Sequence, residues 1–466
     1  MLPAILRYAS DFHDFTTLVL KHHGGTFRFE GPWFTNTSFV GTSDPKNIDH
    51  ITNTNFGNYG KGSNFKEILE VLGGSILNSD FHEWKQERIV NQLIFKRKNF
   101  KNFCLQSVQK KLENCLLPFL NDVSEAGAQL DLQDVFSRLT FDITCTIAFG
   151  FDPNCLSKKF NELREIACLK SLPVMEEVIF YRHFIPIYFR KLQKWLNVGQ
   201  EKKFKLAQEN IDRFLYECMS TYSSRHNEET DECYFDLVKE LTKEGYGRGE
   251  MSEKYIRDTA LSLLIAGNGT ISSGLSWFFW LVSTHSVVQT KIIQEIKNNC
   301  FTDQYENCIA SREQDLDKLV YLHGALYEAL RLYPPIPFEH ICSVKSDILP
   351  SGDHVSQNTM LMYSLYAMGR MKQIWGEDYM EFKPERWISD RGDIIHVPSN
   401  KFIAFNTGPR SCLGKDITLF QMKMVATTIL WKFRIQVVKD HLVMPRISII
   451  LRMKHGLKVE VTKRDI

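Results

Sequence analysis

The residues whose types and spacing most clearly predict a chemical role surround one cysteine. Cys412 lies in the stretch 405–414, which reads FNTGPRSCLG. Gly408 and Pro409 break regular structure, and apolar residues recur at helical spacing over 417–431. The stretch therefore predicts a loop that leads directly into a helix.

A cysteine just before a helix N-terminus lies near free backbone amides and the positive end of the helix dipole, which lower a thiol pKa. Gly408 and Gly414 leave space for a flat ligand on both sides of Cys412, and Arg410 offers a cation. The combination predicts a haem whose iron binds the Cys412 thiolate and whose propionate contacts Arg410. A buried structural cysteine is the simpler alternative, because free cysteines are commonly buried.

Two pairs of polar side chains have helical spacing. Glu328 and Arg331 are three residues apart, so they share one helix face and can form an ion pair. Arg386 follows in a Pro-Glu-Arg-Trp stretch and could close a buried Glu–Arg–Arg network. Trp84 and Arg88 are four residues apart, so the indole and the guanidinium could hold one carboxylate. Ordinary surface pairing is the alternative for both sets.

The stretch 266–270, Ala-Gly-Asn-Gly-Thr, interrupts a long helical pattern with two glycines. Each glycine costs about 1 kcal/mol relative to alanine in a helix interior, so both need a reason. Close approach of a ligand to the backbone is one such reason. Thr270 can donate a hydrogen bond to the carbonyl four residues earlier and bend the helix.

Several elements must position these residues. A helical pattern capped by Ser252 continues to Leu281 and contains the two glycines. A second helix is predicted from Asp315 to Leu332, because Pro334 follows. Alternation over 442–462 predicts a β-hairpin that turns at Lys454-His455-Gly456.

The whole pattern predicts a mainly α fold with a small β portion. Residues 81–250 are mostly amphipathic helix, and 227–232 form a polar, acidic linker. We find no repeat and no low-complexity tract, so we expect one large unit over 1–466.

Composition excludes several classes of protein. A net charge of +2 gives no general attraction to nucleic acid. The eleven cysteines are scattered, without the short spacings of zinc sites, which favours a reducing compartment over a disulfide framework. There is no secretory signal and no uninterrupted apolar stretch long enough to span a bilayer.

The cysteine stretch resembles the haem-binding signature of the cytochrome P-450 monooxygenases at every fixed position: Phe405, Gly408, Arg410, Cys412 and Gly414. The resemblance implies the cytochrome P-450 fold, haem b as cofactor, Cys412 as axial ligand of the iron, and O2 and electrons from NADPH delivered by a cytochrome P-450 reductase.

Other motifs extend the resemblance over nearly the whole chain. Glu328, Arg331 and Arg386 match the family's structural network, with Trp387 in place of phenylalanine. The resemblance implies that Trp84 and Arg88 bind a propionate, and that His340 lies where members often place another propionate-binding cation.

The family's oxygen-activation groove usually reads Ala-Gly-x-Asp/Glu-Thr. Thr270 matches the threonine that steadies bound oxygen, but Gly269 stands where an acid helps to relay protons. A substrate with acidic groups, such as a phenol, could supply protons instead.

The stretches 58–62, 179–184, 275–280 and 453–457 resemble those of the plant mid-chain alkane hydroxylases. An amaryllis-type offshoot of that branch, the noroxomaritidine synthases, couples phenols of norbelladine alkaloids. The altered groove favours oxidative phenol coupling of a norbelladine-type alkaloid in plant specialised metabolism. Mid-chain hydroxylation of alkanes or fatty acyl chains is the alternative. A non-catalytic haem-thiolate protein and a peroxide-using isomerase or dehydratase are further alternatives, against which the retained Thr270 counts.

The resemblance also predicts the surroundings of the substrate and of the reductase. The pocket walls are expected to include the following residues: Gly74, Ile76, Leu77, Ile265, Ala266, Ile336, Phe338, Met453 and His455. A basic face for the acidic reductase is expected from the following residues: Lys85, Arg88, Lys96, Arg97, Lys98 and Lys415.

In the plant branch a membrane anchor precedes a segment like Met1–Leu6. We therefore expect a protein anchored on the cytosolic face of the endoplasmic reticulum membrane, with this chain lacking the anchor.

Overall fold

A computed structural model describes residues 11–31, 38–225, 237–238, 240, 252–300 and 313–464. The expected linker at 227–232 and the opening segment Met1–Leu6 lie outside the described residues. No helix within these ranges is long and apolar enough to cross a bilayer.

Helices make up most of the described chain. They are α1 Phe12–His22, α2 Pro45–Asp49, α3 Gly62–Ile68, α4 Phe81–Phe95, α5 Lys98–Lys111, α6 Leu117–Ala126, α7 Leu132–Phe149, α8 Ala167–Arg182, α9 Ile187–Leu196, α10 Gly199–Arg225, α11 Glu253–Thr284, α12 Ser286–Cys300, α13 Glu313–Asp317, α14 Val320–Leu332, α15 Leu365–Met368, α16 Lys372–Trp375 and α17 Lys415–Lys432. The predicted mainly α fold is confirmed.

The strands are short. They are β1 Thr26–Phe29, β2 Phe39–Thr42, β3 Tyr59–Gly60, β4 Gln129–Asp131, β5 Phe338–Ser343, β6 Asp347–Ile348, β7 His354–Val355, β8 Met360–Ser364, β9 Phe433–Val437 and β10 Lys458–Lys463. One sheet has the order β1-β2-β8-β5-β3, a second β4-β10-β9, and β6 pairs with β7. Within the first sheet β2 and β8 are parallel, and the other pairs are antiparallel.

The long helix α11 passes through the main apolar core and packs against α7. The Ser252 side chain accepts a hydrogen bond from the Tyr255 amide at 3.3 Å, which caps its start as predicted. Near its other end Trp277 stacks on Tyr333, with ring centroids 4.0 Å apart. These contacts hold the helix near both of its ends.

Two predictions of secondary structure were wrong. The helix predicted over 315–332 is two helices, because the helical conformation is interrupted between Asp317 and Val320, where α14 begins. Pro334 still lies just beyond α14, so its predicted end is confirmed.

The hairpin predicted over 442–462 was also wrong, because β10 pairs with β9 and β4 instead. Residues 444–454 form a smaller reversal of their own. The Arg446 amide donates to the Arg452 carbonyl at 2.7 Å, and the Lys454 amide donates to the Met444 carbonyl at 2.9 Å. The alternation of apolar and polar residues predicts a strand, but it does not identify the strand with which it pairs.

Candidate functional site

The loop before α17 holds Cys412 by its backbone. The Cys412 amide donates to the Phe405 carbonyl at 2.8 Å. Gly408 has φ +67°, and a Cβ there would overlap the Thr52 carbonyl oxygen. Gly414 has no such protein neighbour, since an added Cβ would lie 4.0 Å from the Cys412 sulfur. Gly408 is thus required by the protein, whereas a Cβ at Gly414 would make only ordinary van der Waals contacts, the nearest with Thr418 Oγ1 at 3.8 Å.

Cys412 differs from the other described cysteine side chains because it alone is classed as exposed. Protein atoms nevertheless surround it, and this burial raises the pKa of the Cys412 thiol. The Gly414 amide and the charges of Arg88 and Lys415 oppose the rise without outweighing it. The helix start thus lowers the thiol pKa, as the sequence suggested, but the larger effect of desolvation leaves that pKa raised. A bound metal cation can deprotonate a coordinating thiol outright.

The cations predicted to meet propionates gather near this loop. The Arg410 guanidinium lies 4.7 Å from the centre of the Trp84 ring, and Trp84 is buried. Arg88 Nη2 donates to Ser411 Oγ at 3.4 Å, and Arg88 Nε is buried without a partner. Burial lowers the pKa of Arg88, and the Cys412 thiol opposes this. The three side chains from α4 and the loop thus form one cationic and aromatic wall.

Two charged residues that sequence reasoning missed belong to the same wall. Asp80 Oδ1 accepts from Arg410 Nη2 at 3.0 Å and from the Lys61 amide at 2.7 Å. Lys61 Nζ lies 3.6 Å from Glu339 Oε2, and burial lowers the pKa of Lys61. The Asp80 and Lys61 positions bear no motif, so only the tertiary structure identifies them.

His340 is buried on β5, and neither ring nitrogen has a partner. Burial lowers the pKa of His340 well below its ordinary value, so the ring is neutral. Such orphaned groups cost about 1–3 kcal/mol each unless a ligand satisfies them. The carboxylates of a haem are suitable acceptors for His340 and for Arg88 Nε. The residues present therefore fit the predicted cofactor.

The predicted charge network forms around Glu328, which is fully buried. Arg331 Nε and Nη2 donate to its two oxygens at 2.7 and 2.8 Å, and Arg386 Nε donates to Oε1 at 3.2 Å. The Trp387 indole donates to Glu328 Oε2 at 2.9 Å. The tryptophan that departs from the family pattern thus adds a donor that phenylalanine lacks.

The groove of α11 presents some residues to the cavity and others to neighbouring helices. Thr270 Oγ1 donates to the Ala266 carbonyl at 2.6 Å, as predicted, and Ala266 is exposed. A Cβ at Gly267 would lie 2.7 Å from Thr144 Oγ1 on α7, and one at Gly269 would lie 2.9 Å from Glu176 Oε1 on α8. The two glycines therefore admit neighbouring helices, rather than a ligand as the sequence suggested.

The residues predicted to line the pocket occupy different surroundings. Ala266, Gly74 and Leu77 are exposed, and Ile76 and Ile336 are half-buried. Three further members are placed as follows: Ile265 borders the core between α8 and α11, Phe338 stacks on His13 with ring centroids 5.5 Å apart, and Met453 is buried in the main core. His455 lies exposed in the turn before β10. Membership of a substrate pocket stays a prediction for all nine.

The predicted basic face is smaller than expected. Arg97 Nη1 pairs with Glu240 Oε2 at 2.9 Å, and Arg88 turns inward toward Ser411. The four remaining members are exposed: Lys85, Lys96, Lys98 and Lys415.

Comparisons with known proteins agree with this geometry. The family model described as cytochrome P-450 matches residues 3–461. The alkane hydroxylase MAH1 of Arabidopsis thaliana is 42% identical over 473 residues, covering 100% of this chain and 92% of that protein. A noroxomaritidine synthase of Narcissus aff. pseudonarcissus MK-2014 is 36% identical over 470 residues, covering 100% and 90%.

Proposed function

The chain belongs to the cytochrome P-450 family, and on that premise we propose that it hydroxylates a long aliphatic substrate, with oxidative phenol coupling as the second candidate. As a family member it is an oxidoreductase with a haem-thiolate cofactor, and the family's reaction uses O2 and a redox-partner reductase. When bound, the haem supplies the reductive activation of O2 from which one oxygen atom goes to the substrate and the other leaves as water.

Different residues of this chain would bind the iron, hold the propionates and line the oxygen-activation groove. Cys412 would supply the axial thiolate, while Arg88, Arg410, Trp84 and His340 would hold the propionates. Thr270 would present its hydroxyl next to Ala266, where the helix surface is exposed. These roles rest chiefly on the orphaned donors of Arg88 and His340, which a ligand with carboxylates would satisfy.

The position of the Glu176 carboxylate is the main reason to favour aliphatic hydroxylation. The phenol hypothesis depended on the absence of a carboxylate near Thr270, and the Glu176 carboxylate lies directly against Gly269. The 42% identity to an alkane hydroxylase supports the same ranking.

The departure at Gly269 and the 36% identity to noroxomaritidine synthases support phenol coupling as the second candidate. The two reactions differ in their products. Hydroxylation leaves one oxygen atom in the substrate, whereas coupling removes two hydrogen atoms, joins two ring positions and releases both oxygen atoms as water.

The deciding experiment reconstitutes the haem-loaded protein with NADPH and a plant cytochrome P-450 reductase. Long alkanes, fatty acids and norbelladine-type phenols are offered separately, and substrate-induced spectral shifts and products are measured. We expect a mid-chain alcohol from an aliphatic substrate. A carbon–carbon coupled phenol without alcohol formation would instead establish the second candidate, and no NADPH-dependent product from any substrate would favour a non-catalytic haem protein.

We further propose that residues 1–466 form one catalytic unit, anchored at the endoplasmic reticulum membrane and reduced through the four exposed lysines. Raising the ionic strength should slow electron transfer from the reductase, because salt screens exposed charges. A rate independent of salt would contradict a role for these lysines.

A further inference from the structure

A buried carboxylate touches α11 at the turn that carries Thr270. Gly269 has no side chain, and a Cβ there would lie 2.9 Å from Glu176 Oε1 and 3.2 Å from Arg452 Nη2. Glu176 belongs to α8 and is only 1% exposed. The volume that a side chain at 269 would occupy is therefore filled by a carboxylate from another helix.

The Glu176 carboxylate is fixed on both oxygens. Arg452 Nε donates to Oε2 at 2.7 Å, and Arg452 Nη2 donates to Oε1 at 2.9 Å. The segment that carries Arg452 is itself held against α11, because Ser273 Oγ and Trp277 Nε1 both donate to the Leu451 carbonyl, at 2.7 and 2.6 Å. Three elements thus fix one carboxylate beside one helical turn.

Gly267 shows that this arrangement is not a general requirement of the helix. It also admits a neighbour, but that neighbour is the Thr144 side chain of α7 and carries no charge. Burying a carboxylate and an arginine carries a desolvation cost for each ion, which good geometry only offsets. A purely packing solution next to Gly269 would not need this pair.

We propose that Glu176, oriented by Arg452, is the proton donor of the oxygen-activation groove and supplies from α8 the carboxylate that α11 lacks at Gly269. This inference rests on the proposed function, in which each O2 consumes two electrons and two protons. In each transfer the Glu176 carboxylate would gain one proton that comes ultimately from solvent and pass it on toward the Thr270 hydroxyl. Glu176 ends each transfer as the carboxylate, so one proton moves and no other bond changes.

The first test compares Glu176→Gln with Glu177→Gln in the haem-loaded protein. Glu177 is the next residue on α8 and also pairs with an arginine of the C-terminal segment, Arg446, but the pair is half-buried. We expect E176Q to lower NADPH-driven turnover about 100-fold, at the low end of what positioned proton transfer contributes. Its solvent deuterium isotope effect should also rise, whereas E177Q should resemble the native protein.

The second test places a carboxylate on α11 in place of the one on α8. Glu176→Ala leaves the buried Arg452 without its charge partner and clears the space that Glu176 fills beside Gly269, so it is combined with Gly269→Asp, whose Cβ would lie 3.2 Å from Arg452 Nη2. Thermal unfolding is measured for E176A, for G269D, for the double variant E176A/G269D and for the uncharged control E176A/G269N. We expect G269D alone to unfold at a lower temperature, because its side chain overlaps Glu176 and places two carboxylates together, and the double variant to regain stability.

The turnover of the double variant decides the inference. Recovery of turnover and of the native isotope effect in E176A/G269D, but not in E176A/G269N, supports a proton-donating carboxylate at this place. If stability recovers but turnover does not, the inference is overturned, and the Glu176–Arg452 pair has only a structural role. If the native protein consumes no O2 with NADPH and reductase, the proposed function fails, and that result is distinct from native-like O2 consumption and isotope effect in E176Q, which would overturn the inference alone.

Discussion

At the scale of single residues, surroundings decide what each side chain can do. Cys412 is a thiol with a raised pKa until a cation binds it, and His340 is a neutral ring with two idle nitrogens. Neither property is visible in the sequence, because both come from the atoms that the fold brings around these side chains.

Replacing Cys412 with serine should abolish the thiolate-type Soret band of the reduced, CO-bound protein. A serine hydroxyl is far less acidic and does not provide the same electron donation to iron. Absorption spectra of the reduced protein under CO check this, with Cys342→Ser as the control because Cys342 lies on β5 and not in the loop. A retained thiolate band in C412S would show that another residue binds the iron.

Replacing His340 with phenylalanine should speed the loss of haem about 10-fold or more. A hydrogen bond to a charged partner contributes about 1.5–3 kcal/mol, and the apolar ring cannot make one. Transfer of haem to an acceptor protein measures the rate. His183→Phe is the matched control, because that ring lies 5.3 Å from His340 but its Nδ1 already pairs with the Ile179 carbonyl. Equal rates in both variants would contradict the role of His340.

At the scale of elements, the site depends on close contacts between segments far apart in sequence. Gly73, in the loop before α4, has φ +51°, and an added Cβ would overlap the Asp258 carboxylate on α11. Asp258 Oδ2 accepts from the Gly74 amide at 3.1 Å. The loop predicted to border the pocket is therefore fastened to the helix that carries Thr270.

Gly73→Ala should lower the unfolding temperature by several degrees, because alanine is strained at this φ and clashes with Asp258. Gly74→Ala is the matched control, since an added Cβ there meets nothing within 4 Å. Thermal unfolding followed by circular dichroism compares them. If the two alanine variants unfold at the same temperature, the proposed fastening of the loop is incorrect.

The Glu328 network is the second such contact, joining α14 to the 3-10 turn Pro384–Trp387. Glu328→Gln should cost about 3–5 kcal/mol, because it leaves the buried Arg331 guanidinium without a carboxylate, whereas Arg386 keeps its pair with Asp378. The neighbouring Glu385→Gln removes an exposed pair with Lys291 at 2.6 Å and should cost less than about 1 kcal/mol. Urea unfolding gives both free energies, and similar losses would refute a special role for the network.

At the scale of the whole molecule, several histidines are buried as neutral rings. Burial lowers the pKa of His13 to about 3, that of His183 to about 4 and that of His323 to about 3. These values lie below the ordinary value of about 6.5 in an unfolded chain. Below that pH the unfolded chain binds protons that the folded protein does not, so folding stability falls as pH falls.

We therefore expect the unfolding temperature to drop between pH 7.5 and 5.5. Each such histidine contributes up to about 1.4 kcal/mol per pH unit once the pH is well below 6.5. His13→Phe should flatten the dependence, because His13 lies among aromatic rings and neither of its nitrogens has a partner. Differential scanning fluorimetry across the pH range measures the slope, and an unchanged slope in H13F would contradict this assignment.

The sequence by itself determined the family, and it predicted the haem ligand and the main charge network, of which the structure shows the network. These features depend on residue types at fixed local spacing: a cysteine before a helix, an ion pair three residues apart and a helix interrupted at Gly267 and Gly269. The mainly α fold and the cap of α11 at Ser252 followed from periodicity for the same reason.

Only the tertiary structure decided which segments meet. It showed that β10 pairs with β9, that Asp80 neutralises Arg410, and that Glu176 fills the space beside Gly269. Contacts between residues distant along the chain are set by packing and by the burial of charge, and such contacts leave no periodic or local signal in a single sequence. Gly269, which lacks the carboxylate that the family pattern places on α11, instead leaves space for the Glu176 carboxylate of α8.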